Sequence, residues 1–285
     1  MKMPTTSGSG DAVADDESPA NESDTRAYLL ERSKRGFAPI ANAFVQVPQS
    51  KAFADGTKDR SGPLATFVRN GDLRGLRALL FLHAIISNGA GDNGWSTTLP
   101  LSVWSRVFDT TVTADSRSAA SAATRILTRL EQRAMIRRAR KGRAREVTVT
   151  LLRPDGSGLE YSRPDGKSDR FIKLRNEFWS EGWYAKLDLP ATAMLLVCLH
   201  EKPEFSLPTE RMQEWYGFSP DTAERGLRTL CELGLLTVSS RLKKSPLSPS
   251  GVTRVNFYEL TAVLAPPTRL KATGRRARAR KKGSR

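Results

Sequence analysis

A degenerate internal repeat limits what this chain can fold into more than any other feature. Arg125-Ile-Leu-Thr-Arg-Leu130 stands 100 residues before Arg225-Gly-Leu-Arg-Thr-Leu230, and the same offset aligns Ala134-Met135-Ile136 with Gly234-Leu235-Leu236. Upstream, Thr98-Leu99-Pro100 is matched by Ser206-Leu207-Pro208, Leu82-His83 by Leu199-His200, and Phe44-Val-Gln-Val47 by Phe171-Ile-Lys-Leu174. The order is kept while the spacings differ, as in two diverged copies of one unit. A chain of 285 residues has room for two units of about 150 residues.

Each copy has the same predicted elements. In the first, Asp72 caps a helix carrying Leu73, Leu76, Leu79 and Leu80, and Thr97–Leu99 is a short strand. Val103, Trp104, Val107 and Phe108 mark a second helix. Ser118 caps a third, with Ala123, Leu127 and Leu130 on one face. Met135–Arg140 and Arg143–Leu152 form a hairpin around Lys141-Gly142, with Val147, Val149 and Leu151 alternating. In the second copy, Asp188-Leu-Pro190 starts a helix, Ser206–Leu207 is the strand, and Met212, Trp215 and Tyr216 mark the second helix. Ser219-Pro220 starts the third with a cap and a first-turn proline. Leu235–Arg241 and Val252–Leu260 complete a hairpin. The expected fold class is α+β: two tandem units, 26–153 and 171–264, joined by a linker or hairpin at 154–170.

Charge narrows the partner. The formal net charge is +16. Removing the acidic arm 1–25, at −5, and the basic tail 269–285, at +9, leaves +12 on the body. A basic body points to a polyanion. Residues 1–25 and 265–285 read as disordered by composition. No apolar run approaches the ~18 residues of a membrane span. Cys198 and Cys231 give no disulfide framework, which suits a reducing cytoplasm. With His83 and His200 they lack metal-site spacing, so no metal or cofactor is expected. No P-loop and no nucleophile–His–acid pattern is present, and the chain reads as a non-enzyme.

The order helix, short strand, helix, turn, helix, hairpin resembles a winged helix-turn-helix. Ser219-Pro-Asp-Thr-Ala-Glu-Arg-Gly-Leu-Arg-Thr-Leu-Cys-Glu-Leu-Gly-Leu-Leu236 resembles the recognition helix and start of the wing of many bacterial regulators. Ser121-Ala-Ala-Thr-Arg-Ile-Leu-Thr-Arg-Leu-Glu-Gln-Arg-Ala-Met-Ile136 resembles that segment of MarR-type regulators. Two such units in one basic chain resemble plasmid replication initiators of the tandem winged-helix kind. Phe178-Trp179…Gly182-Trp183 is similar to a stretch of actinobacterial proteins. The resemblance spans roughly 44–261 and departs at Asp109–Arg117, a long second-to-third-helix loop.

The expected DNA-binding residues follow. On the first third helix, Ser118, Ser121, Arg125, Thr128 and Arg129 lie opposite the apolar face. On the second, Ser219, Thr222, Arg225, Arg228 and Thr229 do so. Arg137, Arg138, Arg140, Lys141, Arg143 and Arg145 crowd one hairpin, where they can follow phosphates or blunt a sheet edge. Arg241, Lys243 and Lys244 thinly repeat that pattern. Arg275, Arg276, Arg278, Arg280, Lys281 and Lys282 make the tail a non-specific phosphate binder. Double-stranded DNA is the expected partner, with self-association on it and contact with replication or transcription machinery, in the cytoplasm at nucleoid or plasmid. Replication initiation leads over transcriptional regulation of the MarR or GntR kind, because two units share one chain. A protein–protein adaptor in chromosome segregation stands third.

Overall fold

The computed structural model describes residues 18–54, 56–89, 94–141, 145–261 and 263–265. The first element, helix α1 (Glu22–Ser33), starts where Asn21 accepts from the Ser23 and Asp24 amides and the Asp24 side chain accepts from the Asn21 amide. This capping box corrects the expected arm: residues 21–25 belong to an ordered helix, and Thr25 and Arg26 are buried. Strand β1 (Phe37–Ala41) follows, then short helices α2 (Asn42–Val45), α3 (Gln49–Ala54) and α4 (Leu64–Arg69).

The rest of the first half is helix α5 (Leu73–Ile85), strand β2 (Ser96–Pro100), helices α6 (Leu101–Val107) and α7 (Ser116–Gln132), and strands β3 (Ile136–Lys141) and β4 (Glu146–Leu151). β4 lies between β2 and β3 in an antiparallel sheet. Strand β5 (Phe171–Arg175) opens the second half, followed by helices α8 (Glu177–Ser180), α9 (Trp183–Lys186), α10 (Leu189–His200), α11 (Met212–Tyr216) and α12 (Pro220–Glu232), and strands β6 (Leu236–Lys244) and β7 (Val252–Leu260). The fold is α+β, and among the described residues no helix is long and apolar enough to cross a membrane.

Three differences from the sequence reading concern how the halves meet. The strand matching Phe171–Arg175 is Phe37–Ala41, not Phe44–Val47; Phe44 and Val45 are helical. β1 and β5 pair antiparallel, joining the halves in one sheet. Ser206–Leu207 forms no strand, and a single bridge from Phe205 to Tyr258 stands there. The expected linker 154–170 folds back on the first half: Tyr161 is buried, its ring 5.4 Å from His83 and 5.3 Å from Trp95. One buried cluster, from Leu29 to Leu264, runs through both halves.

Close packing fixes the helices locally. Gly226 in α12 lies against α10, and a Cβ there would sit 2.4 Å from the Pro190 carbonyl oxygen and 2.6 Å from Met194 Cγ. Trp104 of α6 is fully buried and donates from Nε1 to the Val147 carbonyl at 3.1 Å, tying α6 to β4.

Candidate nucleic-acid interface

The cap of α7 is Asp115, not Ser118. The Asp115 carboxylate accepts from the Arg117 and Ser118 amides and the Ser118 hydroxyl. Led by the Ser118 amide, these bonds hold its carboxyl below the ordinary aspartate range. Aspartate outcompetes serine because its charge also complements the helix dipole. Ala119, Ala123, Ile126, Leu127 and Leu130 face the core, and Ser118, Ser121 and Arg125 are exposed.

The eight-residue connection before α7 is pinned by α1. Arg26 pairs with Asp109 at 2.5 Å, Thr111 donates to Glu22 at 2.5 Å, and Arg106 donates to Thr25 Oγ1 at 3.0 Å. Thr110, buried beneath, donates to the Ser105 and Ala119 carbonyls, both at 3.0 Å. Length here does not mean freedom.

Three predicted contact residues are spent inside the protein. Arg129 donates to the Asp72 carboxylate from Nε and Nη2 at 3.1 and 3.0 Å, and Arg133 adds a bond of 2.6 Å. Burial alone would raise the Asp72 carboxyl, but these arginines and the Gly75 amide hold it below the ordinary range. Arg138 donates to Glu131 at 2.8 Å and to Thr128 Oγ1 at 3.0 Å, while Thr128 donates to the Thr124 carbonyl at 2.8 Å. Thr128, Arg129 and Arg138 thus also fasten α7 to α5 and β3.

Between the start of α7 and the β3–β4 hairpin runs an open groove of about 720 Å³, bordered by Ser102, Ser116, Arg117, Ser121, Arg140 and Arg145 among others. Among the described residues Arg117, Arg125, Arg140 and Arg145 are exposed and meet no carboxylate. Arg117 was not anticipated from the sequence; with the cap at Asp115 it stands in the first turn, beside the hairpin. Strand alternation puts Arg138 and Arg140 on the α7 side of β3 and Arg137 on the other, beside Trp95 and Tyr161. The backbone of Lys141 pairs with Glu146. Arg143 and the tail residues Arg275, Arg276, Arg278, Arg280, Lys281 and Lys282 lie outside the described residues.

In the second half Ser219 caps α12, accepting from the Thr222 amide at 3.2 Å. Arg225 and Arg228 are exposed; Arg225 has only an exposed pair with Asp221 at 3.5 Å, worth little in solvent. Thr229 is half-buried. Arg241 pairs with Glu204 at 2.7 Å and covers the Phe257 ring at 4.8 Å, while Lys243 and Lys244, at the far end of β6, meet no carboxylate among the described residues.

Comparison with family models, curated proteins and solved structures found no match. The surface beside α7 is exposed and cationic. It offers hydroxyls and guanidiniums on an exposed helix face flanked by cations, the group types that bond base edges and phosphates.

Proposed function

We propose that this chain binds duplex DNA sequence-specifically through two tandem winged-helix units and initiates replication of a plasmid or mobile element without catalysing a reaction itself. The observation that carries the reading is the groove beside α7, where Arg117, Arg140 and Arg145 converge and pair with no acid among the described residues. Facing guanidiniums repel unless solvent or an anion lies between them, and a phosphate backbone is such an anion. The helix–strand–helix–helix–strand–strand order and the β2-β4-β3 arrangement support a winged helix in the first half, with α7 as reading helix and β3–β4 as wing. Two unlike reading helices in one chain favour initiation, since the chain can occupy a site alone and stack along DNA.

Footprinting on the gene's own upstream DNA, with permanganate to detect unpaired thymines, tests this. Tandem copies of a site of roughly 20 bp, all in one direction beside an A·T-rich stretch that opens, are expected. A single site over a promoter without opening would make the chain a transcriptional regulator. Affinity should fall with salt with a log–log slope of about −5 or steeper for ~6 phosphates. No protection on any duplex would overturn DNA binding and leave the adaptor reading.

A further inference from the structure

The β6–β7 ribbon ends in a shaped apolar tip. Beyond the Phe205–Tyr258 bridge the ladder runs from Val238–Tyr258 to Lys244–Val252, about 20 Å at ~3.4 Å per residue. At its end the Ser245 amide donates to the Gly251 carbonyl at 2.9 Å and closes the loop. Within the loop the Ser248 amide donates to the Ser245 carbonyl at 3.0 Å, and the Gly251 amide to the Ser248 carbonyl at 2.9 Å. These are two successive turns, with Pro246 and Pro249 each at the second position, where a fixed φ suits a turn. The Ser248 and Ser250 hydroxyls donate to the Val252 carbonyl at 2.9 and 2.8 Å and tie the loop to β7. Leu247 follows the first proline and is wholly exposed. Holding it out in advance lowers the entropy cost of using it against a partner.

Cations stand behind this tip on both faces. Residues opposite each other share a face and faces alternate along a strand, so Lys244 and Arg254 lie on one side of the ribbon and Arg241 and Lys243 on the other. Lys243, Lys244 and Arg254 are exposed and meet no carboxylate among the described residues. No Asp or Glu occurs from Thr237 to Tyr258. A ribbon cationic on both faces fits between two rows of phosphates, as a groove of duplex DNA presents them. It would repel a copy of itself, which argues against the tip as a contact between chains. The exposed apex has little to offer a base edge. Leucine and proline side chains carry no hydrogen-bonding group, the proline nitrogens carry no proton, and the Ser248 and Ser250 hydroxyls are spent on Val252. What remains is insertion: an apolar side chain entering between base pairs from the minor groove unstacks one step and kinks the duplex. A minor groove of ~6 Å admits no ribbon until such a kink widens it, so insertion and entry of the ribbon go together.

We infer that Leu247 is a wedge that enters between two base pairs from the minor groove, while Lys243, Lys244 and Arg254 hold the phosphates on either side. This rests on the DNA-binding reading above and adds to it a deformation of the bound duplex. The step entered is one that unstacks easily, a pyrimidine–purine step, and no base edge need be read there.

A duplex that is already kinked spares the protein the work of kinking it. The full chain and its Leu247→Ser variant are titrated, by anisotropy, with two duplexes of one sequence and about 40 bp, one intact and one with a short central bulge. Leu247 buries nothing, so the substitution leaves the packing intact. The wild-type chain should bind the bulged duplex about fivefold or more tighter than the intact one. Leu247→Ser should bring that ratio to within about twofold of one. Equal affinity of the wild-type chain for both duplexes, or a preference that survives Leu247→Ser, overturns the wedge and leaves DNA binding standing. Affinity lost on replacing thymine by uracil, and insensitive to that replacement in Leu247→Ser, would put the tip against thymine methyl groups in the major groove and also overturn it. A wild-type chain that binds neither duplex at low salt would sink the DNA-binding reading itself.

Discussion

The two halves share one element order but differ in how firmly the parts that would face DNA are held. In the first, the hairpin β3–β4 is backed by β2, and Val147, Val149 and Leu151 anchor it in the core. α7 is tied to α5 and β3 by arginine–carboxylate bonds, and its leading loop is pinned by α1. In the second, β6–β7 is a two-stranded ribbon exposed along most of its length, supported at its base by the Phe205–Tyr258 bridge. α12 carries no buried ion pair among the described residues. The first half holds α7 rigidly in place, and the second carries a long cationic ribbon on a compact helix pair. The element order is shared, and charged side chains make the halves unlike.

The largest expected effect breaks this difference at one pair of positions. Asp72 and Asp188 both cap the first helix of their unit, accepting from the Gly75 and Ala191 amides. Only Asp72 also binds two arginines in a buried position. Asp72→Ala should cost about 3–5 kcal/mol of stability, because Arg129 and Arg133 lose their partner. Asp188→Ala should cost about 1 kcal/mol, the loss of a cap alone. Urea unfolding of both variants checks this; equal losses would remove the claim that α7 is held by charge.

The next effect is one of pH. His83 is fully buried, neither ring nitrogen has a hydrogen-bond partner among the described residues, and burial, with Arg35 nearby, pushes its pKa down to about 3. Below the ordinary value of 6.5 the unfolded chain takes up a proton that the folded chain refuses. The stabilisation is complete above about pH 6.5 and drains away as pH falls toward 3, amounting to about 2 kcal/mol by pH 5. His83→Phe should remove that slope while leaving the slope due to carboxylates. Its counterpart His200 is not sealed in the same way, for its Nδ1 lies 3.1 Å from a Glu201 carboxylate oxygen.

Much of the fold was legible in the sequence because it rests on local signals. Ser219-Pro220 marked the start of α12, and the alternating Val147, Val149 and Leu151 marked β4. The strand pair was misaligned because Phe44-Val-Gln-Val47 looks more strand-like than Phe37-Ala-Pro-Ile-Ala41, whose proline argues against a central strand. Only an edge-to-edge partner 134 residues away reveals it. The site was less legible. Helical periodicity finds the exposed side of α7, but cannot tell that Arg129 is claimed by a carboxylate 57 residues away while Arg125 meets none among the described residues. Arg117 was missed through misplacing the cap by three residues.

Specificity should divide between the reading helices on a smaller scale. Arg125 has no side-chain partner among the described residues, whereas Arg225 must leave Asp221. Arg125→Ala should lose about 1–2 kcal/mol of discrimination between preferred and random duplex, and Arg225→Ala about 1 kcal/mol. Anisotropy titrations with both duplexes measure this. Equal loss on the two duplexes would recast both arginines as phosphate contacts.

The smallest expected effect on stability concerns the ribbon. Replacing residues 239–257 by a two-residue turn keeps the Phe205–Tyr258 bridge and removes mainly exposed chain. Side chains that bury little on folding contribute little to stability, so the change should stay within about 0.5 kcal/mol. By contrast, Val149→Ala removes packing from the centre of the first half and should cost about 1 kcal/mol or more. The deleted segment carries Arg241, Lys243, Lys244 and Arg254. Each cation that neutralises a phosphate contributes about one unit to the salt slope. With Arg241 already paired to Glu204, the slope should become shallower by about three. A stability loss above about 2 kcal/mol would show that the ribbon is part of the core assembly, while an unchanged slope would restrict phosphate binding in this half to α12 and the residues around it.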